Sequence, residues 1–218
     1  MKTIPTEPLR PTAPPRGVAI SGIAFSLMYI ITLILVRLSV PADPRDPGVW
    51  MTDPARRYWV SIALNLVPFT GIAFLWFMAV LRNHIGLLED KFFATVFLGS
   101  GFLHVAMLFA SVAVARVLLD TFASEIPSQS ETYRFGRGVA YALITTFGMR
   151  MAAVFMFVTS TIGLRTGVFV RWVSFAGFTG GLVLLLFITT TAWVALLFPV
   201  WALLVSTYIL FANDRSSQ

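Results

Sequence analysis

Residues 145–155 read TTFGMRMAAVF, and Arg150 is the residue in that run with the most chemistry to offer. A guanidinium stays charged and carries five donors, yet its neighbours suit the inside of a bilayer. A central arginine in a span costs about 2.5–3.5 kcal/mol on insertion scales, so it normally faces protein or water. No Asp or Glu lies well inside an apolar run to neutralise it. The partners within reach of the sequence are Thr146 one turn earlier, Asn65, and backbone freed near Pro68 or Pro199.

His104 is the one histidine inside an apolar run, with Ser100 a turn before it. Counted from the same membrane face at 1.5 Å per residue, His104 and Arg150 lie at depths of roughly 18 and 21 Å. Arg150, His104, Ser100, Thr146 and Asn65 therefore form a candidate polar layer for a ligand or a partner subunit. The plainer reading keeps Arg150 as a structural arginine satisfied by hydroxyls and carbonyls, and His104 as a histidine bonded between helices. His84 falls outside the spans, so two histidines do not clamp a haem. Methionines 107, 149, 151 and 156 read as flexible core packing. No cofactor and no metal site is expected.

The elements that must hold these residues follow from composition. Of 218 residues, 57% are hydrophobic and 12% charged, against about 25% charged in soluble domains. The mean hydropathy is +0.82. Apolar runs of about 20 residues account for the excess, because that length crosses a hydrocarbon core about 30 Å thick. Their lack of period-2 alternation argues against a barrel. The fold class is an all-α membrane protein, a bundle of six transmembrane helices.

The runs cover residues 17–40, 58–81, 92–119 and 138–164, then forty residues without a charge at 172–211. One helix over that last run would be roughly 60 Å long, so two spans, 172–189 and 193–211, turning at Thr189-Thr190-Thr191, are expected. Five spans with a long tilted last helix is the alternative. Residues 1–16 hold five prolines and read as a disordered cytoplasmic tail, 17–212 as a single transmembrane domain, and 213–218 as a short C-terminal tail. Asp53 before Pro54 marks one helix start. Ser128-Gln129-Ser130-Glu131 fits a capping box at another. Pro68 and Pro199 are expected to kink their spans. Gly177 and Gly181 form a G-x-x-x-G spacing that lets helices approach closely, inside the chain or across a dimer.

The net charge of +6 and the pI of about 10.3 belong to loops and span ends, where anionic lipid headgroups are the partners. No basic-aromatic groove points to nucleic acid. The absence of cysteine excludes disulfides, thiolate metal sites and a cysteine nucleophile. No P-loop, H-E-x-x-H or G-x-S-x-G occurs. Lys and Arg divide almost evenly between the two sides. The shorter loops on one side favour both termini in the cytoplasm.

Two segments carry a resemblance. One is IGLLEDKFFATVFLGSG at 85–101. The other runs from Arg150 through Ser160-Thr161, Arg165-Thr166-Gly167 and Arg171-Trp172 to Leu197-Phe198-Pro199-Val200-Trp201. Together they resemble a group of actinobacterial-type six-span integral membrane proteins of unknown function. The resemblance implies a bacterial cytoplasmic membrane and six spans, and transfers no functional residue. The expected function is a non-enzymatic accessory subunit or a lipid- or small-molecule-binding membrane protein, with membrane lipids, a protein partner or a homo-oligomer as its company. A small transporter or channel around the Arg150–His104 layer is the alternative.

Overall fold

A long apolar run can satisfy its backbone polar groups away from water only by bonding within a helix or a closed barrel. In the computed structural model, which describes residues 16–41, 43, 46–85, 91–122 and 130–216, every regular element is helical. In chain order these are α1 (Arg16–Ser39), α2 (Pro54–Ile85), α3 (Lys91–Thr121), α4 (Glu131–Tyr141), α5 (Met149–Thr166), α6 (Arg171–Phe187) and α7 (Leu197–Ser216). A π-helical turn, Ala142–Gly148, joins α4 to α5 without a break. The three therefore make one rod, Glu131–Thr166, and the bundle has six rods.

Among the described residues, five rods are long and apolar enough to cross a membrane. The sixth, α6, is apolar and 17 residues long, the short end of the spanning range of about 17–25. The uncharged forty-residue run does divide at its threonines. The Thr190 and Thr191 N–H groups both donate back to the Phe187 carbonyl, at 3.0 and 3.3 Å. Thr191 is extended, and a 3-10 turn, Ala192–Leu196, leads into α7. One tilted helix over that run is thereby set aside.

Helix starts follow side-chain chemistry. Asp53 Oδ1 accepts from the Ala55 N–H at 2.9 Å, launching α2 at Pro54. At α4 the capping residue is Ser130, which accepts from the Tyr133 N–H at 3.3 Å. The capping-box expectation needed Ser128 as the cap; that residue, like the tail 1–15 and the acids Glu89 and Asp90, lies outside the described residues. Pro199 does not interrupt a helix as expected. It stands in the first turn of α7, where a missing N–H leaves no ladder bond unmade. The helix itself runs on to Ser216, into the stretch read as a tail.

The rods pack in chain order and close on themselves: α1 on α2, α2 on α3, α3 on α5, α5 on α6, α6 on α7, and α7 back on α1. The centre is aromatic. The Phe74 ring lies 4.8 Å from Phe25, 5.2 Å from Phe155 and 5.6 Å from Phe198. A smaller cluster of Trp50, Met51, Leu64, Leu118 and Tyr133 forms where the connection before α2 meets α3 and α4. Outward faces carry Ile31, Phe69, Trp76, Phe102 and Leu186, all exposed. Apolar surface of that extent suits lipid rather than water.

The G-x-x-x-G spacing is used inside the chain. A Cβ on Gly177 would run into Ser160 Oγ, and one on Gly181 would meet the Ala153 carbonyl at 3.3 Å, so both glycines seat α6 against α5.

Candidate functional site

The expected polar layer assembles only in part. His104 is fully buried, and its Nδ1 donates to the Gly148 carbonyl at 2.8 Å. A carbonyl can only accept, so Nδ1 carries the proton and Nε2 faces the core as a bare acceptor without a partner. Its ring sits among Phe198, Phe74 and Tyr29, at 5.0, 5.7 and 5.9 Å. Arg150, two residues beyond Gly148, is half-buried and turns back along its own helix, Nη1 donating to the Thr146 carbonyl at 2.8 Å. Thr146 thus serves through its backbone. Ser100 is buried and donates to the Phe97 carbonyl at 3.2 Å. Asn65 is exposed on α2. His104 and Arg150 share a layer at the level of backbone, and the described contacts join neither their side chains to each other nor either one to Asn65.

The π turn explains why this layer is self-contained. Met149 N–H bonds to the Ile144 carbonyl five residues back, and such a turn offsets the ladder by one residue. Gly148 lets α3 approach, since a Cβ there would meet Met107 Cβ at 3.3 Å and the Leu143 carbonyl at 3.2 Å. Two carbonyls of the turn then accept from His104 and Arg150.

The same turn also forms one wall of a cavity of about 210 Å³. That exceeds the ~150 Å³ of an engineered apolar cavity able to hold benzene. Three long helices and the α4–π rod line it, each through one helical stripe. From α1 and the residue just after it come Tyr29, Thr32, Leu33, Val36, Arg37 and Val40, spaced i, i+3, i+4, i+7, i+8 and i+11. Val60, Leu64 and Val67 come from α2; Leu108, Ser111, Val112, Ala115 and Leu118 from α3. Tyr133, Arg137, Tyr141, Thr145 and Met149 close the far side, and Trp50 and Met51 cap the loop end. The α1 stripe spans eleven residues, about 16 Å.

The wall is apolar along its length and polar at chosen points. Tyr29 Oη, Thr32 Oγ1, Arg37 Nε and Trp50 Nε1 are all buried cavity-lining atoms without a hydrogen-bond partner. Leaving such a group unpaired costs about 1–3 kcal/mol each, so four around one cavity are a feature of that cavity. Arg137, by contrast, has several partners. It donates to Tyr133 Oη at 3.0 Å and to the Pro41 and Asp43 carbonyls at 2.8 Å each, with Asp46 Oδ1 at 4.0 Å. These bonds tie α4 to the end of α1. Ser111 Oγ donates to the Ala140 carbonyl at 2.8 Å, joining α3 to the same rod.

In sequence α1 is apolar on every face, and Arg37 reads as an ordinary loop-side charge. Only the packing turns it inward. An outer groove between α6 and α7, lined by Trp172, Leu204 and Tyr208, continues the exposed apolar surface. Among the described residues no cluster of His, Asp and Glu could hold a metal ion.

The class defined by fold and site is an all-α bundle with helices of membrane-crossing length around an amphiphilic cavity. No family model, no curated protein sequence and no solved structure matches the chain.

Proposed function

We propose that the chain is a non-enzymatic, amphiphile-binding integral membrane protein of the bacterial cytoplasmic membrane, with both termini on the cytoplasmic side. The observation that carries the binding reading is the cavity, whose long apolar walls bear the unpartnered Tyr29, Thr32, Arg37 and Trp50. A ligand with an apolar body and oxygen atoms at its polar positions satisfies both features at once. Binding is favoured over conduction because Tyr29 packs on Phe25 and Phe198, at 5.5 and 6.4 Å, in a fully buried aromatic centre. With cytoplasmic termini, the loop end of the cavity faces the other side of the membrane. The bacterial membrane follows from the sequence resemblance, and the orientation from loop lengths.

Native mass spectrometry of the full chain, extracted in a mild detergent, tests the reading. One amphiphile-sized adduct per chain, displaced by added amphiphile, is the expected result. A bare chain that also takes up no added amphiphile overturns it. The same spectra report a second subunit, the outcome that would make the protein an accessory chain.

A further inference from the structure

We propose, resting on the amphiphile-binding reading, that the ligand is a single-chain amphiphile with an anionic oxyacid head, and that Arg37 and Trp50 form its head-group subsite. Both residues sit at the loop end of the cavity, and both hold a buried N–H donor without a partner, Arg37 Nε and Trp50 Nε1. An indole N–H only donates, and a guanidinium only donates. The group that satisfies the pair must therefore accept, and an oxyanion accepts from a guanidinium most strongly.

The charges at this end give the sign. Arg137 has Asp46 at 4.0 Å and three oxygen acceptors of its own. Arg37 forms no ion pair among the described residues. The two charged residues that line the cavity, Arg37 and Arg137, are both cationic. A cationic head is repelled there, and a neutral head leaves Arg37 uncompensated.

The number of chains follows from size. A cavity of about 210 Å³ along about 16 Å of α1 is a narrow slot. Leu33, Val36, Val67, Leu108 and Met149 line it below the head position. On the scale of a ~150 Å³ cavity that holds benzene, this slot takes one chain of roughly eight carbons, and a two-chain phospholipid does not fit.

The test uses the full chain in detergent and quenching of its tryptophan fluorescence by brominated amphiphiles, with the Trp50→Phe protein subtracted to isolate the cavity signal. The probes are 2-bromooctanoate and the 2-bromooctyl phosphate, alcohol and trimethylammonium compound, each with its bromine beside the head and so against Trp50. At least one of the two acids should bind more tightly than the alcohol by about tenfold, the size of one charge-assisted contact, and the ammonium compound should bind weakest. Whether carboxylate or phosphate leads identifies the head. Arg37→Gln should erase the preference for acid while leaving alcohol binding in place, and Arg37→Lys should keep part of it. Arg150→Gln, at a residue that does not line the cavity, should leave the ranking unchanged. Equal quenching by acid and alcohol in the unmodified protein overturns the head-group assignment and leaves the amphiphile reading standing. No Trp50-specific quenching by any probe overturns both. The wild-type ranking decides even where an Arg37 variant fails to fold.

Discussion

Arg150 and Arg37 show how one residue type takes two roles in the same bundle. Arg150 spends a donor on the Thr146 carbonyl of its own helix, one turn back. Arg37 lies against the cavity with its Nε unpartnered. The difference comes from what each helix face meets, since the local sequences are equally apolar. His104 is closer to Arg150 in kind, because its single bond to the Gly148 carbonyl joins α3 to the π turn. Replacing His104 by Leu removes the bond that joins α3 to the π turn and should lower stability by about 0.5–1.5 kcal/mol. Arg150→Leu removes a bond to a half-buried position and should lower it by less. Thermal unfolding of both variants in one detergent checks the order. Equal losses would mean that the Arg150 guanidinium holds more than its own turn.

Among elements, the α5–α6 seam is the tightest place that substitution can probe. Gly177 faces Ser160 Oγ and Trp201 Nε1, and a Cβ would overlap the hydroxyl. Ser160 Oγ, Ser174 Oγ and Trp201 Nε1 already lack partners in that seam. Gly177→Ala should therefore destabilise by about 1–3 kcal/mol, the range for overpacking. Gly138, where a Cβ meets nothing within 4 Å, is the control, and Gly138→Ala should be neutral or stabilising by a few tenths to about 1 kcal/mol through helix propensity. Melting temperatures of the two proteins separate packing from propensity. The π turn has no such sequence signature. Its residues, ALITTFG, read as ordinary helix, and the offset arises where α3 and α5 must both be satisfied.

At the scale of the molecule, a ring of rods encloses a dense aromatic centre below and a cavity toward the loop end. Ala115 projects into that cavity from α3. Ala115→Phe fills space that no protein atom occupies, so ligand-free stability should hold or rise by about 0.5–2 kcal/mol. Amphiphile uptake should fall at the same time. Mass spectra and melting curves of the same sample check both halves, and a variant that melts early instead would place Ala115 against protein.

Much of this molecule is decided by the chain alone. Uncharged runs near membrane thickness must become helices, because nothing else pairs their backbone groups in hydrocarbon. The break at Thr189–Thr191 follows because one helix of forty residues would overrun the bilayer twofold. The Asp53 start of α2 was equally plain, since a cap acts over three residues. The site was not. Arg150, His104, Ser100, Thr146 and Asn65 share a depth, but depth along a helix says nothing of the direction in which a side chain points. Asn65 faces outward and Arg150 folds onto its own turn. Tyr29, Thr32 and Arg37 come inward, because α1 is rotated by its contacts with α2 and α7. Rotation about a helix axis is settled by the sum of many weak side-chain contacts between elements distant in sequence, and only the folded bundle adds them up.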